Sequence, residues 1–423
     1  MNTASHHSSP EFAAFVGIDW ADEEHAVCLI EAGSTRPEHC TLAQDPEALD
    51  EWASQLRQRF DGRPIAVCLE QSKGALIYAL MKYDHLVLFP INPKQLARYR
   101  EAVAPSGSKD DPDDARLLVD FLAGHRERLR PWKPDDAQTR LIALLAEDRR
   151  AAVDLRTQLA NMLRSRLKQY FPLALQLVGD ELHSPMACDF LSNWPTLESL
   201  QRAQPDTVRR FFTTHNCRST RRIDERLKRI AQVRPLTTDS AVIESASRQV
   251  RLLAQQLLQL IEPIRDYDQR LAELVAAHPD GELFRVLPGA GPALSPRLLA
   301  AFGSDRDRFG AAVELQQYSG IAPVTVRSGK TKIVHCRWAC PKFLKQTFHE
   351  FANQSRTKSA WAAAYYAMLR ERGCGHHAAV RALAFKWIRI LFRCWKTRTP
   401  YDESIYLACL RARNSPLLKH LAA

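Results

Sequence analysis

Apolar and polar positions change their period twice along the 423 residues. From residue 12 to 130, short apolar runs of strand length alternate with helix-like stretches. Phe15-Val16-Gly17-Ile18-Asp19-Trp20 reads as a buried strand, and Ala26-Val27-Cys28-Leu29-Ile30 as its hairpin partner. Ile65-Ala66-Val67-Cys68-Leu69 is a further strand that ends on Glu70, and Leu86-Val87-Leu88-Phe89 is another. Asp45-Pro46 opens a helix, with Asp as cap and Pro in the first turn. Helices are expected over 74–83, 93–102 and 112–123. This alternation predicts an α/β sheet domain.

Between 131 and 280 glycine is sparse and the period becomes helical. Ile243, Ala246, Val250, Leu253, Leu257, Leu260, Ile264, Tyr267, Leu271 and Leu274 recur at alternating steps of three and four, the seam of a coiled coil. Pro263 lies inside that run and is expected to kink it. An earlier helix, about 136–169, carries Arg149, Arg156 and Arg164 among other cations. These form either a solvated face or a face that tracks phosphates. From 281 to 423 the pattern is mainly helical. It begins with Leu287-Pro288-Gly289-Ala290-Gly291-Pro292, which resembles the hairpin of a helix-hairpin-helix, where backbone N–H groups near Gly289 and Gly291 can face a phosphate. A simple turn fits the same residues.

Composition narrows the class. The formal net charge of +11 and the pI near 9.2 favour a polyanionic partner, of which nucleic acid is the commonest. No apolar run is long enough to span a bilayer, so no membrane role is expected. The first ten residues lack the apolar core of a signal peptide and read as a short disordered tail. The ten cysteines are scattered singly, which suits a reducing cytoplasm.

Two constellations carry candidate chemistry. Asp19 and Glu70 each close a strand, and Asp111 and Asp114 stand three apart at a helix start. In an open α/β sheet, strand ends and nearby helix starts converge on one edge. Carboxylates gathered there repel one another unless a cation neutralises them, and oxygen-only ligands suit Mg²⁺ or Mn²⁺. Two such ions can activate a water and stabilise the leaving oxygen of a phosphodiester. Asp110 and Asp113 compete for the same assignment, and Asp111 before Pro112 also fits a helix cap. The second candidate is Ser328, beside Gly329 and flanked by Arg327, Lys330 and Lys332, which can hold a phosphate. No general base stands nearby in sequence, and taken alone the segment reads as a basic turn containing a serine. The Cys and His residues between 335 and 377 match no strong zinc spacing. Trp338, Trp361, Trp387 and Trp395 read as core residues.

The order of these features resembles the insertion-sequence 110 family, the DEDD or bridge-RNA-guided transposases. The stretches that carry the resemblance are Val16-Gly17-Ile18-Asp19, Cys68-Leu69-Glu70, Ile91-Asn92-Pro93 and Lys109-Asp110-Asp111-Pro112-Asp113-Asp114-Ala115. Further on they are the Pro288–Pro292 segment, Phe309, Tyr318-Ser319-Gly320-Ile321-Ala322-Pro323 and Arg327-Ser328-Gly329-Lys330. The family's K-x-D-x-x-D-A pattern selects Asp111 and Asp114 over their neighbours. The resemblance implies an RNase H-like, Holliday-junction-resolvase-like DEDD domain over 12–130, a helical coiled-coil connector over 131–280, and a mainly α transposase domain over 281–423. It implies Asp19, Glu70, Asp111 and Asp114 as Mg²⁺ (or Mn²⁺) ligands and Ser328 as a nucleophile that links covalently to DNA. The two parts of the site would meet across subunits. It implies donor and target DNA, a guide (bridge) RNA, and a homodimer that pairs into a tetramer, in a prokaryotic, nucleoid-associated setting. The glycine common after the family's serine loop is absent here, where the chain reads His335-Cys336-Arg337-Trp338. The alternative reading is a metal-dependent, structure-specific nuclease without covalent serine chemistry.

Overall fold

The computed structural model describes residues 12–70, 74–103, 110–329 and 331–421. The expected N-terminal tail lies outside them. Contacts divide the chain into two compact units, Met1–Pro134 and Asp135–Ala423.

The first unit is built on one mixed sheet. Its strands are β1 (Ala14–Asp19), β2 (Glu24–Glu31), β3 (Glu38–Ala43), β4 (Ile65–Leu69) and β5 (Leu86–Pro90), in the order β3-β2-β1-β4-β5. β1, β2 and β3 form an antiparallel meander, while β1, β4 and β5 run parallel. This arrangement is compatible with an RNase H-like fold. The helices are α1 (Pro46–Arg59), α2 (Ala75–Leu80), α3 (Pro93–Val103) and α4 (Asp111–His125). α1 starts as its sequence dictates: Asp45 accepts a 2.8 Å hydrogen bond from the Ala48 amide, and Pro46 needs no donor in the first turn.

Strand alternation divides the apolar residues between two faces. Val16, Ile18, Val67 and Leu88 pack with Leu49 and Trp52 of α1 and with Leu76 and Ile77 of α2. Ala66, Cys68 and Phe89 pack with Leu96 of α3 and Leu118, Phe121 and Leu122 of α4. Because β1 and β4 are covered on both faces, they read as unbroken apolar runs. β3 escapes that test. It is an edge strand whose first four residues are exposed, so it shows no apolar pattern.

The second unit is mainly helical. α5 (Ala137–Tyr170) and α11 (Ser240–Ala277) are long antiparallel partners, held together by Gln138 bonding the Leu274 carbonyl and Arg149 bonding Asp268. Between them in sequence lie α6 (Pro172–Val178), α7 (Pro185–Asn193), α8 (Leu197–Gln201), α9 (Pro205–Thr214) and α10 (Thr220–Gln232). These pack with the C-terminal half of α5 and the N-terminal half of α11 into one core that includes Leu163, Leu167, Phe190, Phe212, Val250 and Leu257. Most of the heptad seam of α11 is therefore buried within the chain, with Ile243, Leu260 and Tyr267 partly exposed. A homodimer draws no support from that seam. α11 also continues through Pro263 as one helix.

A second core in this unit joins α12 (Gly281–Arg285), α13 (Gly291–Phe302), α14 (Ala312–Tyr318), α15 (Lys342–Ser355), α16 (Ala360–Glu371), α17 (His376–Thr397), α18 (Glu403–Ala412) and α19 (Leu418–Leu421). Trp361, Trp387 and Trp395 are fully buried there, and each indole N–H finds an acceptor: Tyr401 Oη, Ser355 Oγ and the Gly303 carbonyl respectively. Trp338 departs from its expected core position and is 81% exposed. A hairpin of β6 (Val324–Ser328) and β7 (Thr331–His335) interrupts the helices. Among the described residues, no helix is long and apolar enough to cross a membrane.

Candidate functional site

The acidic candidates lie along one edge of the sheet. Asp19 ends β1, Glu70 directly follows β4, and these strands are parallel neighbours with Ile18 opposite Leu69. α4 brings the other two carboxylates to β1. A Cβ on Gly17 would fall 2.1 Å from the Ala115 carbonyl oxygen, so only glycine lets the first turns of α4 lie this close to the strand. Asp111 is the first residue of α4 and is exposed, whereas Asp114 is buried. Asp110 takes the cap position, although its side chain makes no capping bond. The Lys109 of the family pattern lies outside the described residues.

Asp114 is neutralised by Arg100 of α3, whose Nη2 stands 2.6 Å from Asp114 Oδ1. Among the described residues, no three His, Cys, Asp or Glu side chains gather closely enough to hold a metal ion. The donor chemistry nevertheless suits a hard divalent cation. It is all oxygen, and it is placed on one edge by two strand ends and one helix start. A cation taking Asp114 Oδ1 as a ligand competes with Arg100 for that oxygen.

Ser328 is the last residue of β6, exposed, and opposite Thr331 across a tight turn through Gly329. Gly329 has φ +54°, a conformation that tight hairpin turns need and glycine adopts freely. Arg327 lies opposite Lys332, and both are exposed. Strand alternation directs this basic pair to the face away from Ser328. Lys330 lies outside the described residues. No side-chain hydrogen bond reaches the Ser328 hydroxyl among the described residues.

The remaining expected contacts with nucleic acid are placed as follows. Gly289 has φ +83°, and a Cβ there would sit 2.8 to 2.9 Å from the backbone of Gln354 and Ser355 at the end of α15. Its smallness serves that packing. Gly291 is exposed as the first residue of α13, directly after the turn that follows α12. Arg149 is committed to Asp268 by bonds of 2.5 and 3.1 Å. Burial lowers the affinity of Arg156 for its proton. Arg164 bonds Asn161 and the Asp180 carbonyl.

Comparison with known proteins decides the family. Residues 16–172 match the DEDD transposases of IS110, and residues 281–367 match the transposases of the IS116/IS110/IS902 family. The mini-circle putative transposase for IS117 of Streptomyces coelicolor is 31% identical over 92% of this chain and 95% of its own length. The chain belongs to the IS110 family of transposases. Other relatives of the transposase include the uncharacterized protein of insertion element IS116 from Streptomyces clavuligerus, 26% identical over 89% of the chain and 93% of its own length. The uncharacterized protein of IS900 from Mycobacterium paratuberculosis is 24% identical over 92% and 97%.

Two features of the candidate site escaped the sequence. Arg100 shows no local signal, because its partner lies fourteen positions further along the chain. The β6–β7 hairpin is nearly all exposed, so its alternation has no buried face to mark it. Its neighbour Trp338 carries the Lys345 ammonium 5.1 Å from its ring, and Lys345 also reaches Cys336 Sγ at 3.1 Å.

Proposed function

We propose that this transposase cuts and rejoins DNA through Ser328, assisted by Asp19, Glu70, Asp111 and Asp114. The observation that supports this reading is the exposed Ser328 hydroxyl at the end of a basic hairpin, in a member of a transposase family. The serine Oγ forms a bond to phosphorus, the P–O bond to the deoxyribose breaks, and the departing oxygen takes up a proton. A DNA hydroxyl then attacks the phosphoserine, which restores the serine and rejoins the strand. Arg327 and Lys332, facing away from Ser328, hold phosphates further along the strand. The serine proton passes to a carboxylate of the acidic group, since no base among the described residues hydrogen-bonds Ser328. Mg²⁺ or Mn²⁺, when held by these carboxylates, supplies positive charge against the charge that builds up on the reacting phosphate.

Selection of donor and target by a guide RNA, and a homodimer that pairs into a tetramer, belong to the same proposal and rest on family membership. The decisive experiment traps the reaction on labelled DNA. Ser328 is expected to carry a covalent DNA adduct that Ser328→Ala abolishes. Strand exchange by Ser328→Ala at the native rate would refute the serine reading. The lack of a hydrogen-bonded base at Ser328 among the described residues favours one rival, a junction-resolvase-like hydrolysis, which leaves cut DNA and no adduct. Sequencing the RNA that co-purifies with the chain tests the guide, and recovery of only degraded host RNA removes it.

A further inference from the structure

The net charge of the transposase is unevenly spread. Residues 201–234 contain ten Lys and Arg against three Asp and Glu, so this short stretch holds seven of the eleven excess positive charges. It comprises α9, α10 and their flanks. It lies outside the two segments that match the family, 16–172 and 281–367.

On α10 the apolar residues Ile223, Leu227 and Ile230 pack into the core beside α8 and α9. Arg222, Arg226 and Arg229 of α10 follow one another at steps of four and three, so they form one stripe beside that buried face, and Arg218 stands in the loop just before the Ser219 cap of the helix. Arg226 is held over the Phe212 ring at 4.5 Å. Arg218, Arg222 and Arg229 are exposed, and none has a carboxylate partner among the described residues. The local acids are engaged elsewhere: Asp224 pairs with Arg209 at 2.7 Å, and Glu225 with Arg221 at 3.5 Å. Arg222 and Arg229 on the helix and Arg218 just before it are exposed like charges that repel one another, and an anionic partner relieves that cost.

We infer that the α10 stripe is a docking surface for the phosphate backbone of duplex DNA outside the cleavage site. A lipid surface is disfavoured because the apolar side of α10 is already buried in the protein and has nothing to insert. Single strands are disfavoured because the stripe offers no exposed aromatic ring for bases to stack on; Phe212 is buried and Phe211 is partly so. Guanidinium groups matched only to phosphates read no sequence and hold a duplex in place. From Arg222 to Arg229 the stripe is about 10.5 Å long at 1.5 Å per residue, the axial rise of about three phosphates of one strand, and Arg218 stands before its N-terminal end.

The test is equilibrium binding of the full chain to a random-sequence duplex DNA across a salt series. It reads the stripe whether or not Ser328 reacts, so its failure is separable from failure of the serine reading. Arg218→Gln, Arg222→Gln and Arg229→Gln combined are expected to reduce the slope of log affinity against log salt by about 2 to 3. Replacement of the same three by Lys keeps the slope. A control removes Arg248, Arg265 and Arg270, which are exposed but already paired with Glu244, Glu262 and Glu273. That control loses equal charge and is expected to lose less than half as much slope. Equal losses in the Gln triple and the control would overturn the proposal. So would an unchanged slope in the Gln triple, a loss in the Lys triple, or a loss confined to duplex RNA.

Discussion

Arg100 and Asp114 form an ion pair of 2.6 Å at the acidic edge of the sheet, with the carboxylate almost wholly removed from solvent. A buried carboxylate needs a cation, and in this state a guanidinium from α3 fills the role. The same carboxylate is one of the four proposed for metal binding, so Arg100 and a divalent cation compete for it. Arg100→Gln is therefore expected to lower stability in EDTA by about 3 kcal/mol, the cost of leaving a buried charge without its partner. Added Mg²⁺ should restore more stability to the variant than to the native chain, since binding to the folded state stabilises by mass action. Thermal unfolding with and without Mg²⁺ measures both. If Mg²⁺ raises the melting temperature of neither protein, Asp114 is no metal ligand.

Gly17 is the residue that lets α4 approach β1. A methyl group there would stand 2.1 Å from the Ala115 carbonyl oxygen and 2.8 Å from Leu118 Cβ, both parts of the helix itself. No flexible side chain can swing away to make room, so the helix must shift. Gly17→Ala is expected to destabilise the N-terminal unit by about 2 to 3 kcal/mol. It should also abolish DNA cleavage, because Asp111 and Asp114 move with α4. Urea unfolding and a cleavage assay check the two effects, and full cleavage activity in a stable variant would show that the spacing of α4 from β1 does not matter.

These residues also show where sequence reasoning reaches. β1, β4 and β5 were legible because burial on both faces makes them continuous apolar runs ending in Asp19, Glu70 and Pro90. β3 was not, since an exposed edge strand carries polar residues on both faces. The heptad seam from Ile243 to Leu274 falls on one helix, and seven of its ten positions are buried. Its partner was not legible, because a three-four repeat fits any helix and does not say whether that helix belongs to the same chain. Of the helices between α5 and α11, α6 to α9 are too short for a clear periodic signal, whereas α10 carries Ile223, Leu227 and Ile230 at helical steps. At the site, the positions of Asp19 and Glu70 followed from strand ends, but the Arg100–Asp114 pair is a tertiary contact that no local pattern encodes. The serine segment gave its charge correctly while hiding its pleat, which turns Arg327 and Lys332 away from Ser328.

Glu350 of α15 holds together three helices of the second unit. It accepts from Arg297 of α13 at 2.5 Å and from Arg150 of α5 at 3.0 Å. Arg297 is only 3% exposed, and its Nε also bonds Thr347 at 3.0 Å. Burial already weakens the hold of this guanidinium on its proton, and the Glu350 carboxylate is what opposes that effect. Removing the carboxylate leaves a buried cation without its counter-charge, so Glu350→Ala is expected to cost about 3 to 5 kcal/mol. Arg150→Ala should cost less, because Arg150 also has Asp154 at 2.7 Å and is more exposed. Chemical denaturation of the two variants should give this order, and equal losses would mean that Arg297 does not depend on Glu350.

Asp136 makes the stability of the second unit depend on acid. It caps α5, accepting from the Thr139 amide at 2.9 Å and from the Thr139 hydroxyl at 2.6 Å. Partial burial pushes its pKa upward, but the hydrogen bonds from the Thr139 hydroxyl and amide are among the interactions that outweigh burial and bring it from 3.8 down to about 2. Because the folded value lies below the unfolded one, the folded state binds the proton less readily. The resulting stability is complete above pH 4 or so and disappears as pH falls through about 2. Asp136→Asn removes the charged cap and is expected to cost about 1 kcal/mol at neutral pH. The gap between native and variant stability should stay constant from pH 7 to about 5, then close between about pH 4 and 2. Urea denaturation at a series of pH values reads that gap directly. A gap that stays constant down to pH 2 would show that the carboxylate charge contributes nothing beyond the hydrogen bonds an asparagine also makes.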